Sequence, residues 1–168
     1  MEGQDAEAAD SLGHRIPAQV RRSAIELLGD YQLTTLGVVP VPVGAMVPGV
    51  VAAVGFTGDL TGTMYVAADG GVVRATSGDG DAWLGELANQ LLGRTKNSLW
   101  VNRIELHMAP PALVDPARAA AVPGQRLATP AGDLQVWIEW EAAPGTTWHP
   151  ATSTRRVRVL SEGDLLLF

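Results

Sequence analysis

The strongest pattern in the sequence lies at residues 81–96, where apolar residues recur at spacings of three and four. This periodicity predicts an α-helix with one apolar face, which must pack against another layer of the fold. That face consists of Trp83, Leu84, Leu87, Ala88, Leu91 and Leu92. Residues 16–28 show the same periodicity, with Pro17 suited to the first turn, and predict a second helix of this kind.

Short segments rich in Val and Thr lie between the two helices and after the second one, and they are typical of β-strands. The predicted strands are residues 34–43, 49–56, 61–67, 72–76, 103–108, 134–140, 155–160 and 165–168. Pro40 and Pro42 restrict the first of these segments to a sheet edge. The order helix, strands, helix, strands predicts an α+β fold in which two long helices pack on a largely antiparallel sheet.

Turn residues and tryptophans refine this arrangement. Residues 57–59 and residues 69–71 are rich in Gly and Asp, and each predicts a hairpin connection. Trp137 and Trp140 are an odd number of positions apart, so we expect them on opposite faces of one strand.

Composition limits the classes of protein to which the chain can belong. With 168 residues, 46% of them hydrophobic, the chain can form one domain with its own core. The absence of cysteine excludes disulfides and thiolate metal sites. A net charge of −6 argues against nucleic acid as a partner. No apolar run reaches the roughly 18 residues of a membrane span, so we expect no membrane partner and a cytoplasmic location.

The acidic residues are concentrated at the start of the sequence. Residues 1–13 contain four acidic side chains and no Lys or Arg: Glu2, Asp5, Glu7 and Asp10. We therefore expect residues 1–14 to form an acidic, flexible tail and residues 15–168 to form a single domain.

Several common catalytic motifs are missing. The sequence contains no GxSxG elbow, no Walker P-loop and no GxGxxG after a strand. His14, His107 and His149 are scattered without the spacing of a metal site. We therefore predict no metal site and no bound cofactor.

Polar residues and glycines occupy the face of the predicted helix opposite its apolar side. Glu86, Asn89 and Gly93 follow the spacing i, i+3, i+7, with Lys96 on the same side and Gly85 at its edge. Asn and Gly are poor residues in the middle of a helix, and Gly costs about 1 kcal/mol relative to Ala. This line therefore indicates a surface that a partner approaches closely, while an ordinary solvated face is the alternative.

Two stretches, residues 50–78 and residues 81–99, resemble the CheC/CheX/FliY family of chemotaxis phosphatases, and the resemblance is closest to CheX members. Its most specific element is the tetrad Glu86-Leu-Ala-Asn89 with the trailing Gly93. A glycine-punctuated hairpin precedes this tetrad, and Pro110-Pro111 follows it about twenty residues later.

The resemblance implies a CheC/CheX-like fold and a phosphatase that acts on the aspartyl-phosphate of a CheY-like receiver. It implies that Glu86 and Asn89 are the active pair, with Asn89 positioning the attacking water, and that Pro110 or Pro111 is the family's downstream proline. Mg²⁺ is expected in the receiver and not in this chain. We expect contacts with the receiver at Gly85, Gly93 and Lys96. The resemblance also implies a homodimer.

The chain departs from the family pattern at two positions. Ala82 stands four residues before Glu86, where the family often has Asp or Ser. In the first helix Glu26 is followed three residues later by Gly29 and not by Asn, so we expect one site and not two. A catalytically weak or inactive module that binds receivers therefore remains an alternative, as does a structural domain with a passive helix face.

Overall fold

The computed structural model describes residues 2–47, 49–78 and 80–151, and within them it describes side chains from residue 12 onward. The elements in chain order are α1 (Glu2–Asp30), β1 (Gly37–Val41), β2 (Val51–Gly58), β3 (Leu60–Ala68), α2 (Gly70–Ala75), α3 (Gly80–Trp100), β4 (Leu106–Met108), β5 (Ala112–Val114), α4 (Pro116–Ala120), β6 (Gly124–Thr129) and β7 (Gly132–Ala142).

The seven strands form one antiparallel sheet in the order β1-β6-β7-β3-β2-β4, and β5 also pairs with β2. The pairing of β3 with β7 is the longest, from Leu60 opposite Ala142 to Ala68 opposite Leu134. Within the described residues β1 is an edge strand, which agrees with its Pro40.

The long helices α1 and α3 pack against each other, and α3 also packs on β2 and β3. The larger apolar core lies between these helices and one face of the sheet. A smaller cluster on the opposite face includes Tyr65 of β3, Ala119 of α4 and Trp137 of β7. Trp140 packs against the larger core, so the two tryptophans of β7 lie on opposite faces as predicted.

The predicted α+β class is confirmed, and so is the hairpin at residues 57–59, which joins β2 to β3. The predicted strand at residues 72–76 is wrong, because residues 72–75 lie in α2 and Thr76 is its C-cap, and residues 69–71 are therefore not a hairpin turn. The physical reason lies in the sheet. β3 is already paired with β2 on one side and with β7 on the other. A strand that followed β3 directly could therefore not pair with it in a hairpin.

Both long helices exceed their predicted bounds. α1 extends from Glu2 to Asp30, and Leu12 is buried in the core four residues before the predicted start at Ile16. The division into a tail of residues 1–14 and a domain of residues 15–168 stays a prediction. The predicted strands at residues 155–160 and 165–168 lie outside the described residues.

Among the described helices, none combines the length and apolar character needed to cross a membrane.

Candidate functional site

The orientation of α3 is set by its apolar face. Leu87, Leu91 and Leu92 are completely buried against the sheet and α1, and Leu84 and Ala88 lie beside them. Trp83 is half-buried. Because this side of the helix is held by the core, the opposite side is turned outward along most of its length.

The outward side carries the predicted pair. Glu86 is exposed and Asn89 is half-buried, so Asn89 is not sealed beneath neighbouring side chains. Three residues correspond to a rise of about 4.5 Å along a helix, so both side chains extend from the same turn. Gly93 and Lys96 are half-buried and lie further along the helix, about 10 Å and 15 Å from Glu86 along its axis. The structure therefore groups Glu86 with Asn89 and places Lys96 nearly three turns away.

The carboxamide of Asn89 forms no hydrogen bond within the part of the chain that the structure describes. An asparagine side chain offers two donors and one acceptor oxygen, which are normally satisfied by protein or water. The donors and the acceptor of Asn89 are thus all available to a molecule that binds to this face.

Glu86 is held by its neighbour one turn later. Its Oε1 atom accepts a hydrogen bond of 3.2 Å from Nε2 of Gln90. The Oε1 atom of Gln90 in turn accepts a bond of 2.9 Å from the hydroxyl of Tyr31, which directly follows α1. The sequence interpretation missed both residues. The contact between Glu86 and Gln90 could have been predicted from their i, i+4 spacing in a helix. The contact with Tyr31 could not, because Tyr31 is distant in the sequence.

The two glycines of α3 have different surroundings. A Cβ atom added to Gly93 would meet nothing within 4 Å, and Gly93 does not have a positive φ, so nothing in the fold requires glycine there. Gly85 is buried, and an added Cβ would lie 3.5 Å from Cβ of Pro111. Gly85 therefore lies beneath Pro111, although the sequence placed it at the edge of the exposed face.

The segment that leads into β5 thus flanks α3 on the side of Gly85. Pro111 is the proline that lies against Gly85, and no atom of Pro110 lies within 4 Å of the added Cβ. The end of α1 flanks α3 on the other side through Tyr31 and through the ion pair between Asp30 and Arg94. Glu86 and Asn89 therefore lie on α3 between two flanking segments.

No group of three or more His, Asp or Glu side chains within the described residues could hold a metal ion. Among the same residues, Lys96 has no hydrogen-bond or ion-pair partner. Glu86 therefore offers a carboxylate to a binding partner, Asn89 offers an unpaired carboxamide, and Lys96, further along α3, offers an ammonium group.

The similarity of this chain to known proteins lies in its structure. No protein-family model matches it, and no curated protein matches it at a significant level. Solved structures do match. The chemotaxis protein CheX from Desulfovibrio desulfuricans has a TM-score of 0.61 at 18% sequence identity, covering 76% of this chain and 99% of that protein.

Two further structures extend this similarity. A CheC-like superfamily protein from Shewanella sp. PV-4 has a TM-score of 0.60 at 16% identity and covers 76% of this chain and 97% of its own. The CheX–CheY–BeF3–Mg²⁺ complex from Borrelia burgdorferi has a TM-score of 0.58 at 16% identity, covering 74% of this chain and 96% of that chain. The protein therefore has the fold of CheX and CheC-like chemotaxis proteins.

Proposed function

We propose that this protein is a phosphatase that stimulates hydrolysis of the aspartyl-phosphate of a CheY-like receiver domain. The observation that carries the proposal is the unpaired carboxamide of Asn89, one turn from the exposed carboxylate of Glu86. Support also comes from the fold, which resembles that of a CheX protein solved as a complex with CheY, BeF3 and Mg²⁺.

The reaction needs little covalent chemistry from this chain. The oxygen of a water molecule forms a bond to phosphorus, and the bond between phosphorus and the aspartate oxygen breaks. The receiver regains its carboxylate, and both protons of the water leave with the phosphate. Since the receiver supplies Mg²⁺ and a lysine to neutralise the phosphoryl charge, the remaining task is to hold the water in line.

Asn89 has the properties that this task requires. Its carboxamide can accept a hydrogen bond from the water and donate one to a phosphoryl oxygen. It also remains neutral, whereas a carboxylate at this position would be repelled by the phosphoryl group. Asn89 is not a nucleophile, so no covalent intermediate forms on this protein.

Glu86 has a separate role in docking. Its exposed carboxylate is suited to pair with the receiver's lysine in a charge-assisted hydrogen bond. Because Glu86 and Asn89 share one helical turn, this contact would place Asn89 over the same phosphoryl group. Gly93, which has no side chain, leaves room for the loops of the receiver.

The test of catalysis is release of inorganic phosphate from CheY-like receivers phosphorylated with acetyl phosphate and Mg²⁺. We expect wild-type protein to accelerate release and Asn89→Ala to lose about 10²-fold of that stimulation, because the water is no longer positioned. Asn97→Ala is the matched control, since Asn97 is exposed on the same helix about 12 Å further along its axis. Equal rates for wild type and Asn89→Ala would exclude Asn89 as the catalytic group.

The test of docking is titration of a receiver loaded with BeF3 and Mg²⁺. Glu86→Lys reverses the charge at the docking contact, so we expect weaker binding. Unchanged affinity would show that Glu86 is only a solvated side chain.

One observation favours a second candidate, a receiver-binding module without strong catalysis. Ala82 is exposed one turn before Glu86 and offers no polar group where relatives in the family often have Asp or Ser. Such a module would bind the BeF3-loaded receiver without accelerating phosphate release, and Ala82→Asp would then raise the rate. Homodimer formation and a cytoplasmic location remain predictions.

A further inference from the structure

A chain of three polar side chains joins the end of α1 to the proposed docking carboxylate. The hydroxyl of Tyr31 donates to Oε1 of Gln90 at 2.9 Å, and Nε2 of Gln90 donates to Oε1 of Glu86 at 3.2 Å. We refer to Tyr31, Gln90 and Glu86 as the relay. Asn89, next to Gln90 in the sequence, takes no part in it.

The amide group of Gln90 determines which atom donates and which atom accepts at each step of the relay. The amide of Gln90 has one acceptor oxygen and one nitrogen with two hydrogens. Because the oxygen faces the hydroxyl of Tyr31, the nitrogen is turned toward Glu86. The carboxylate of Glu86 is thereby held through its Oε1 atom, and its Oε2 atom has no partner within the described residues. The relay therefore orients the carboxylate without occupying both of its oxygens.

The first member of the relay is anchored in the core. The ring of Tyr31 packs edge-on against that of Trp83, with centroids 6.4 Å apart and an interplanar angle of 81°. Nε1 of Trp83 donates to Oγ1 of Thr76 at 2.8 Å, and Thr76 is completely buried at the end of α2. Tyr31 is thus held by α3 through both its hydroxyl and its ring, and Trp83 links its ring to Thr76 at the end of α2.

We propose that Gln90 and Tyr31 are positioning residues that orient the carboxylate of Glu86 for the lysine of the receiver. This inference rests on the proposed function, because it assigns a task to the docking contact. A long glutamate side chain on an exposed helix samples many rotamers, and binding must select one of them. A carboxylate that is already oriented loses less freedom on binding, so the relay increases affinity for the receiver.

A purely structural role is the competing explanation, in which the bond between Tyr31 and Gln90 only ties α1 to α3. The fold offers a matched control for this explanation. Oγ of Ser98 donates to Oε1 of Gln19 on α1 at 2.6 Å, near the C-terminal end of α3. Ser98→Ala and Tyr31→Phe each remove one hydroxyl that joins a glutamine to the neighbouring helix.

The experiment measures the binding of a CheY-like receiver loaded with BeF3 and Mg²⁺, and the phosphatase kinetics with the phosphorylated receiver. We expect Tyr31→Phe and Gln90→Met to weaken binding about three- to tenfold, the usual range for one hydrogen bond, and to raise KM with kcat unchanged. Ser98→Ala should bind like wild type. In the background of Glu86→Ala, Gln90→Met should have no further effect, because its target is gone.

The outcomes separate this inference from the proposed function. If Glu86→Ala weakens binding while Tyr31→Phe and Gln90→Met bind like wild type, the relay is refuted and the proposed docking contact stands. If Ser98→Ala weakens binding as much as Tyr31→Phe does, the helix contact is structural and the relay is refuted as well. If Glu86→Ala itself binds like wild type, the docking role fails, and the relay fails with it. Gln90→Met replaces a half-buried side chain by one of similar length, so it keeps the test valid if Tyr31→Phe folds poorly.

Discussion

Gly93 allows a test in which stability and function are expected to change in opposite directions. It lies inside α3 without a positive φ, and a Cβ atom added to it would meet nothing within 4 Å. The fold therefore gains nothing from glycine at this position. If the residue is present because a receiver approaches closely, then Gly93→Ala should stabilise the protein and weaken receiver binding.

The size of the stability change follows from helix propensity. Gly in the interior of a helix is about 0.5–1 kcal/mol less favourable than Ala, and no steric cost offsets the gain here. For a chain of this length, 1 kcal/mol corresponds to a shift of about 2–4 °C in Tm. We therefore expect Gly93→Ala to raise Tm by about 1–4 °C.

The size of the binding change follows from packing at an interface. An extra methyl group in a closely packed contact costs about 1–3 kcal/mol, so we expect at least about fivefold weaker binding of the BeF3-loaded receiver. Gly13→Ala is the matched control. Gly13 is an exposed glycine of α1 whose added Cβ would also meet nothing within 4 Å. In α1, Gly13 lies on the far side of Gln19 from Tyr31, and Gln19 contacts Ser98 near the end of α3 that is away from Glu86.

The two measurements are thermal unfolding and receiver titration. Gly13→Ala should stabilise the protein and leave binding unchanged. A Gly93→Ala variant that is more stable and binds like wild type would show that no partner approaches this position. A Gly93→Ala variant that is less stable than wild type would refute the geometric argument itself, because it would mean that the space around Gly93 is not open.

Three further predictions concern the scaffold. Gly62→Ala should lower the free energy of unfolding by about 2–3 kcal/mol in urea denaturation, because the added methyl group would collide with the carbonyl oxygen of Glu139 on β7. Thr76→Val should cost about 1–3 kcal/mol in the same assay, since Nε1 of Trp83 loses its acceptor. Burial, followed by the hydrogen bond to Glu139, raises the pKa of Tyr65 above its usual value of 10.0. The stabilisation from this pKa shift is complete below pH 10 and is lost as pH rises through the folded pKa, so above pH 10 wild type should lose stability faster than Tyr65→Phe. Parallel losses in the two proteins would contradict that assignment.

The part of the fold that the sequence predicted well is the part with strong periodicity. The apolar residues of α3 recur every three or four positions, and the structure buries that face. The β2–β3 hairpin was predictable because Gly58 and Asp59 interrupt two apolar segments at a position where the chain must reverse. In these elements the local preference and the tertiary structure agree, so a single sequence suffices.

The errors occur where tertiary pairing overrides local preference. Val72 and Val73 favour a strand on their own, yet they form α2 because both edges of β3 are occupied by other strands. The predicted strands did not include β5 and β6, whose local sequence is dominated by Pro110-Pro111 and Pro123. Both strands exist because edges of β2 and β7 are available to pair with them.

In the candidate site, too, some features follow from local sequence and others depend on tertiary contacts. The line of Glu86, Asn89 and Gly93 follows from helical spacing alone, so the sequence is enough to place these residues on one face of α3. Gly85 could not be placed in this way, because only the path of a distant segment decides that Pro111 covers it. The relay through Tyr31 was equally hidden, since it joins residues 59 positions apart.

In the proposed function, the arrangement of the site divides two tasks, docking and the positioning of a water, between neighbouring side chains. The core fixes the backbone of α3 through its buried leucines, so the positions of Glu86 and Asn89 are set by a rigid element. Docking benefits from a carboxylate oriented in advance, and the relay holds that of Glu86. Positioning a water requires donors and acceptors that are not already used, and the carboxamide of Asn89 is unpaired within the described residues. A relay that also bound Asn89 would compete with the water, so the absence of such a contact is what the proposed chemistry requires.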